Sequence, residues 1–360
     1  MNIIHLISNK VWGGGERYVL DLARAQKADG HCVNVFSRRY HAVARPFIED
    51  ETHRGYLRLC GVFDIFTPIK LARYLRKLSG TTIIHVHNFK DAYTALAARR
   101  LTNRKDIFVV ATRHLVRPAK TDKSHLSTIS NLDAIIFASE LAKKEFCSTL
   151  PTTFDCEHLY TVRNAIAIPP TLPLSKKSDE NTPQLVYVGR LAAEKGVDIL
   201  LEAMALIADR SWQLDIVGSG NPNYEVELEK QAHTLGIADR VHFKGYTDNV
   251  YTELTDADIA ILPSRVPEAC PLTIQEAYAC AVAVVTTNNG AQPETVDDGT
   301  TGLLVNPESP RAIADAVTRL LDDRQLCSSM GQSGRLKLEQ ELSYKNFYEQ
   351  IMAIYNGCAH

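Results

Sequence analysis

The sequence predicts an α/β protein built as two similar domains, and three observations carry that prediction. Short apolar runs recur along the chain, each followed by a loop rich in glycine, histidine or charge and then by a helical pattern. A proline-rich polar stretch, PPTLPLSKKSDENTP at 169–183, separates two such series. With 360 residues the chain is long for one domain and sufficient for two cores.

In the first series, residues 2–8 form a strand that meets Val11-Trp12-Gly13-Gly14-Gly15-Glu16, with a helix expected over 16–29. The glycines either let the backbone approach a ligand at the sheet's C-terminal edge or make a tight turn. A strand follows over 31–37, then a polar, irregular, arginine-rich segment over 38–66. A helix over 68–79 sets Ile69, Ala72, Leu75 and Leu78 on one side and Lys70, Arg73, Arg76 and Lys77 on the other. Such a helix lies on an anionic membrane or packs on its own sheet with solvated lysines. Strands over 82–86 and 107–111 end at His87 and at Thr112-Arg113-His114, the strand edge where open α/β sheets place ligand contacts. A lone histidine is usually a packing residue, but two at equivalent strand ends point to function, with Arg113 and Arg117 beside them. A strand over 133–138, with Ser139 capping the next helix, and another over 159–162 complete the series.

The second series opens with a strand over 184–188 that enters Gly189-Arg190-Leu191-Ala192-Ala193-Glu194-Lys195-Gly196, and a helix follows over 197–208. Strand 212–217 ends in Gly218-Ser219-Gly220, and strand 241–243 ends in Lys244-Gly245-Tyr246. Strand 259–262 leads to PSRVPEACPLTIQEAYACA, where a helix is expected from Pro271. The amides of Leu272 and Thr273 then lie at the positive end of a helix, a ready site for a phosphate. Glu276 sits four residues after Leu272 on the same face, and Glu268 lies in the loop before. An anion site flanked by two acids suits a ligand with an anion in the middle and hydroxyl-rich groups on either side. A sugar nucleotide has that shape. Two solvated acids are the plain alternative. Arg190 and Lys195 in one loop suit a diphosphate. Loop 288–294, a strand over 302–305 and three helical stretches finish the chain.

Composition narrows the class. At 45% hydrophobic and 23% charged residues the chain is an ordinary globular protein, and no apolar run approaches a membrane span. The start, MNIIHLISNK, lacks a basic leader segment and reads as a strand. Eight scattered cysteines with no CxxC pair are expected to be reduced cytosolic thiols, Cys270 beside the anion site either reactive or simply small. Residues 1–170 carry 25 Lys plus Arg against 15 Asp plus Glu, whereas residues 171–360 carry 15 against 27. A basic first half suggests an anionic partner for it, such as acidic lipid headgroups or a phosphorylated acceptor.

Together, Gly13-Gly14-Gly15-Glu16, Val188-Gly189-Arg190 with Glu194-Lys195-Gly196, Gly218-Ser219-Gly220, Glu268-x7-Glu276 and Pro293-Glu294 through Val305 resemble the retaining glycosyltransferases of family 4. The resemblance implies the GT-B fold, two Rossmann-like domains with parallel sheets facing across a cleft. It implies a first, acceptor-side domain over 1–168, a linker over 169–183, a nucleotide-sugar domain over 184–341, and a final segment, 342–360, crossing back to the first. Arg190 and Lys195, with the Leu272 and Thr273 amides, would hold the donor diphosphate. Glu276 would bind the ribose and Glu268 the transferred sugar. Gly218 and Lys244-Gly245-Tyr246 would frame the base, Gly14 and Gly15 would approach the phosphates, and His114 would sit beside the sugar. His87, Arg113 and Arg117 fall on the acceptor side. Asn164-Ala165, Pro271 and Asn289-Gly290-Ala291-Gln292 depart from the family pattern around the sugar subsite.

The implied reaction is retaining sugar transfer from a nucleotide diphosphosugar, a UDP-sugar by analogy, to a saccharide or lipid-linked acceptor of the cell envelope. It needs no cofactor and no metal. Asp256-Ala257-Asp258 has the Asp-x-Asp form used elsewhere for Mn²⁺, but it directly precedes a buried strand and is expected to end the preceding helix. The enzyme is expected in the cytoplasm, with a possible peripheral contact on the inner face of the plasma membrane and no nucleic-acid partner. The rivals are a sugar-nucleotide epimerase on the same fold, a soluble small-acceptor transferase and a binding module. A dinucleotide oxidoreductase is disfavoured because Gly218-Ser219-Gly220-Asn221-Pro222-Asn223 fails at the last glycine of GxGxxG.

Overall fold

The computed structural model describes residues 1–61, 64–174 and 182–359. The chain forms two compact units, one made of Met1–Ala165 with Tyr344–His360 and the other of Ile166–Ser343. Residues 175–181 of the expected linker lie outside the described residues.

The first unit holds the strands β1 (Asn2–Ile7), β2 (Cys32–Ser37), β3 (His53–Tyr56), β4 (Thr82–Val86), β5 (Ile107–Arg113), β6 (Ala134–Phe137) and β7 (Leu159–Thr161). Its helices are α1 (Gly14–Ala28), α2 (His41–Glu49), α3 (Phe66–Leu75), α4 (Phe89–Thr102), α5 (Lys123–Ser130) and α6 (Glu140–Cys147). Among the described residues these strands make a parallel sheet in the order β3-β2-β1-β4-β5-β6-β7. Ile3, Ile83 and Val110 of its central strands are fully buried in one cluster with Leu22 of α1 and Ile351 and Tyr355 of the C-terminal helix. The strands are continuous apolar runs because helices cover both faces of such a sheet.

The second unit holds β8 (Gln184–Val188), α7 (Val197–Ala205), β9 (Gln213–Val217), α8 (Pro222–Thr234), β10 (Val241–Gly245), α9 (Val250–Leu254) and β11 (Ile259–Leu262). It continues through α10 (Leu272–Ala279), β12 (Ala283–Thr287), α11 (Gln292–Thr295), β13 (Gly302–Val305), α12 (Pro310–Asp322) and α13 (Arg324–Gln340), and α14 (Tyr344–Ala359) returns to the first unit. The sheet order is β10-β9-β8-β11-β12-β13. Its two faces bury separate clusters, one around Trp212, Leu214 and Leu320, the other around Val186, Ile274 and Tyr278.

Both sheets run outward in opposite directions from a central pair, β1 and β4 in one unit and β8 and β11 in the other. That reversal opens a crevice beyond the strands' carboxyl ends, the place where open α/β sheets bind ligands. Each unit is therefore Rossmann-like, with its own switch point.

Several local expectations need correction. Gly14 and Gly15 are not a loop but the first turn of α1, with Gly13 as its cap. The segment read as irregular over 38–66 contains α2 and β3. Pro46 within α2 and the short, register-shifted edge strand His53–Tyr56 masked both periodicities. Pro271 is the extended flanking residue, φ −77° and ψ 102°, so α10 starts at Leu272. Helix α3 begins at Phe66, ahead of Pro68, because the first turn's amides have no intrahelical partner and tolerate proline. Ile69, assigned to the apolar side, is 41% exposed among the basic residues. Lys244 and Gly245 lie within β10 and Arg113 within β5.

Candidate active-site residues in the two units

In the second unit, the loop after β8 and the loop after β11 are stitched together at the switch point. The Arg265 amide donates to the Glu194 carbonyl at 3.0 Å, and its guanidinium donates to the Ala193 carbonyl at 2.8 Å. The same guanidinium grips Asp198 through two bonds of 2.9 and 2.6 Å. Gly196, at φ +73°, passes so close to the Pro263 carbonyl that a Cβ would lie 2.1 Å from its oxygen. Sequence reading gave Arg265 no role. Its signal was there, a lone arginine in the loop that holds Glu268, but its partners lie almost seventy residues earlier.

This stitching brings Lys195 to Glu268, Nζ to Oε2 at 2.9 Å, both side chains largely shielded. Ser264 Oγ donates to the other carboxylate oxygen of Glu268. The backbone of Glu268 is held from beneath: its carbonyl accepts from the Ala291 amide at 2.8 Å, and Gly290 approaches so closely that a Cβ would lie 2.3 Å from its nitrogen. The departure at Asn289-Gly290-Ala291-Gln292 therefore still supplies a glycine where the backbones touch.

Arg190 is exposed and pairs with Glu194 at 2.5 Å, while the Tyr187 hydroxyl donates to the Arg190 carbonyl at 2.9 Å and holds the loop. Leu272 and Thr273 open α10, where their amides have no carbonyl four residues earlier in the helix. Glu276 lies one turn on, half-buried. Gly218, at φ +138°, donates its amide to the Gly245 carbonyl at 2.8 Å, which sets the two glycine-bearing strand ends side by side. Lys244 pairs with Asp215 at 3.3 Å, and Tyr246 stands 62% exposed.

Asp256-Ala257-Asp258 sits at the opposite end of this sheet. The Asp258 carboxylate accepts from the Gln184 amide at 2.7 Å and approaches Arg324 at 3.6 Å, tying the start of β8 to that of β11. A carboxylate committed to strand entry is not offered to an ion at the strand exits.

The first unit gathers imidazoles at its own switch point. His5 of β1 pairs in register with His85 of β4, and the rings of His5, His85 and His87 lie within 5.5 Å centroid to centroid. His5 Nε2 lies 2.8 Å from Gln26 Oε1, and its Nδ1 lies 3.0 Å from His87 Nε2. With the amide oxygen facing His5, the proton sits on His5 Nε2, and His87 donates from Nε2. His87 Nδ1 is enclosed without a hydrogen-bond partner. His85 has Thr112 Oγ1 at 2.7 Å from Nε2 and Tyr355 of α14 at 2.6 Å from Nδ1. Burial lowers His5 and His114 to about 4, and burial, then neighbouring histidines, lowers His85 and His87 well below the ordinary value. These are neutral rings at neutral pH.

His5, His85 and His87 offer ring nitrogens within 4.8 Å of one another, a spacing a metal can bridge. The hydrogen bonds already occupy both nitrogens of His5 and of His85, and the cluster is accounted for as a scaffold. His114 packs edge-on against Tyr18 at 5.0 Å and near-parallel to His87 at 5.9 Å. Arg113 lies over the Phe146 ring at 4.6 Å, donates to the Arg117 carbonyl at 3.3 Å and is lowered to about 10 by burial. Arg117 is exposed.

Two acids in the first turns of this unit's helices were not singled out from the sequence as titrating groups. Asp91, in the first turn of α4, is wholly buried, and burial pushes its carboxyl up to about 7. Glu16, in the first turn of α1, is 4% exposed and raised by burial while Asn9 donates to it. Each reads as an ordinary first-turn helical acid until burial is known.

The glycosyltransferase family 4 profile matches residues 12–168, and the profile for glycosyl transferases group 1 matches residues 171–337, in that order along the chain. The chain belongs to the family 4 glycosyltransferases. A GDP-mannose-dependent alpha-(1-6)-phosphatidylinositol monomannoside mannosyltransferase of Mycobacterium tuberculosis is 37% identical over 161 residues. That match spans 42% of either protein, so the chain matches under half the length of this relative. Alpha-maltose-1-phosphate synthase of Mycolicibacterium smegmatis is 27% identical with 96% of each chain covered. The crystal structure of Anabaena HepE in complex with UDP matches 99% of this chain and 100% of its own with a TM-score of 0.83 at 19% identity. At that identity the likeness speaks for the GT-B fold alone.

Proposed function

We propose that this family 4 member is a retaining, metal-independent glycosyltransferase that moves a sugar from a nucleotide diphosphosugar to a saccharide acceptor of cell-envelope polysaccharide or lipopolysaccharide. It works in the cytoplasm, on the inner face of the plasma membrane. The observation that supports the reading is the Lys195–Glu268 pair, which joins a cation and an acid at the switch point of the second sheet.

As the glycosidic bond breaks, negative charge grows on the leaving diphosphate and the sugar becomes oxocarbenium-like. Lys195, Arg190 and the Leu272 and Thr273 amides meet that charge. Donors fixed before the reaction are the main catalytic contribution, because they need no reorganisation in the transition state. Glu268 holds hydroxyls of the transferred sugar, Glu276 holds the ribose, and a leaving-phosphate oxygen takes the acceptor's proton. His114 and His87 lie on the sugar and acceptor side, Arg113 and Arg117 on the acceptor loop, and Gly218 with Lys244-Gly245-Tyr246 frames the base. Gly14 and Gly15 approach the diphosphate as the amide-bearing first turn of α1, where Glu16 limits the negative charge that turn accepts.

A UDP-sugar is the favoured donor, in keeping with the UDP held by HepE. GDP-mannose is the second reading, favoured by the mycobacterial relative named for it. Thermal-shift measurements with UDP, GDP, ADP and their sugars decide between them, since ligand binding raises the unfolding temperature by mass action. No shift with any nucleotide refutes the assignment. Conversion of the donor sugar without any acceptor replaces it with an epimerase.

A further inference from the structure

Arg265 stands between the two groups that meet at the second unit's switch point. Glu268 follows it in the same loop, and Ser264, just before it, donates to that carboxylate. Its guanidinium reaches back to the other loop and grips the chain on either side of Lys195. Nη1 donates to the Ala193 carbonyl, ahead of the lysine, at 2.8 Å. Nη1 and Nη2 also donate to the carboxylate oxygens of Asp198, beyond the lysine, at 2.9 and 2.6 Å. Asp198 is itself fixed, since the Tyr224 hydroxyl of α8 donates to its Oδ1 at 3.2 Å and Gln231 donates to its carbonyl at 3.0 Å. The clamped segment, Ala193–Lys195, is a single 3₁₀ turn, whose own hydrogen bonds are poorer than those of an α-helix.

The two cations of the loop after β8 are not held alike. Lys195 lies within the span that Arg265 clamps, its ammonium largely shielded against Glu268. Arg190 lies outside that span, with an exposed side chain paired to Glu194 and a carbonyl held by Tyr187. The Arg265 guanidinium is committed to protein partners: Nη1 and Nη2 face Ala193 and Asp198, and Nε lies 3.8 Å from Glu308. It is placed to act through Lys195 and not on a ligand.

We propose that Arg265 and Asp198 are a positioning pair for the transfer reaction, clamping the backbone around Lys195 and so presetting the ammonium that meets the leaving diphosphate. A preset donor needs no reorganisation as charge develops. A displacement of about 1 Å can cost on the order of a hundredfold in rate. The planar guanidinium suits the task, because it fixes bonds to a carboxylate and to a carbonyl at once, which the point charge of a lysine does not. The inference rests on the proposed transfer reaction, and one arm of its test is independent of that reaction.

The test uses the full chain with Arg265→Met, which keeps the packing of the stem, and Asp198→Asn, which keeps the shape and removes the charge. Turnover is expected to fall on the order of tenfold to a hundredfold in Arg265→Met, and by less in Asp198→Asn. In a Lys195→Ala background, Arg265→Met is expected to cost less than about twofold further, whereas in an Arg190→Ala background it keeps its full cost, because residues that act through one group are not additive. Equal costs in the two backgrounds overturn the proposal and make Arg265 a general brace. The second arm needs no turnover. Acetylation of Lys195 by acetic anhydride, followed by peptide mass spectrometry against Lys244, is expected to speed up severalfold in Arg265→Met. An unchanged rate overturns the proposal even where sugar transfer is confirmed. A chain that transfers no sugar overturns the reaction and this assignment with it, while a raised acetylation rate still establishes the clamp. Thermal melts accompany each variant, and should Arg265→Met not fold, Asp198→Asn has to lower turnover and expose Lys195 in the same two arms.

Discussion

Lys195 reaches Glu268 at 2.9 Å, across a stretch of chain that contains three further strands of the same sheet. The pair gives the second unit's switch point a cation held in place by an acid, and the acid is held in turn by Ser264 and by the backbone at Ala291.

Lys195→Ala is expected to lower turnover on the order of 10² to 10³ if the ammonium acts as a preorganised donor to the leaving diphosphate. Steady-state kinetics with the donor found by thermal shift measures it. Near-normal turnover removes Lys195 from the mechanism.

Glu268→Gln separates binding from transfer. Neutralising the carboxylate removes a competing charge from beside Lys195, so the affinity for the nucleoside diphosphate alone is expected to hold or rise, while transfer falls. Titration calorimetry with UDP and GDP, set beside turnover, checks both signs. Weaker diphosphate binding would mean that Glu268 serves mainly to position Lys195.

The buried imidazoles make stability depend on pH in a defined window. His5 and His114 are lowered to about 4, against 6.5 for a free ring. Below pH 6.5 the unfolded chain binds protons that the folded chain refuses, so this stability is complete above 6.5 and is lost as the pH falls toward 4. His5, wholly buried, contributes on the order of 3 kcal/mol over that window, and the half-buried His114 contributes less. Urea unfolding midpoints at intervals across it should fall steadily, and a flat profile would mean the rings are not buried as described.

Tyr355→Phe removes the hydroxyl that lies 2.6 Å from His85 Nδ1 and joins α14 to β4. A buried ring nitrogen left without its partner costs about 1–3 kcal/mol. The denaturation midpoint reports it, and an unchanged midpoint would show that packing alone holds the helix.

Gly218→Ala is expected to destabilise by roughly 2 kcal/mol or more, because its Cβ would fall 1.8 Å from the Gly189 carbonyl oxygen at a φ of +138°. Gly236→Ala, at φ +71° with open space around it, should cost only about 1–2 kcal/mol for the left-handed backbone. Unfolding of the two variants side by side separates steric contact from backbone strain.

Strand positions, the repeated βα pattern and the order of the loop motifs were legible in the sequence, because parallel strands buried on both faces are written as continuous apolar runs. The bounds of β8, β11 and β13 follow directly from such runs. Short elements did not follow, since β3 and α2 have too few residues to establish a period, and the first turn of α1 is hidden behind its glycines.

What only the tertiary structure decided is which side chains meet and which face water. Arg265 became the staple of the loops after β8 and β11 because Asp198 is brought to it from far up the chain. His5 joined His87 because two parallel strands share a register. Phe66 and Ile69 were left in water because the other side of α3 satisfies the core. Local sequence fixes backbone preferences through sterics and periodicity. Long-range contacts, burial and the resulting charge states arise only once the sheets bring distant residues together.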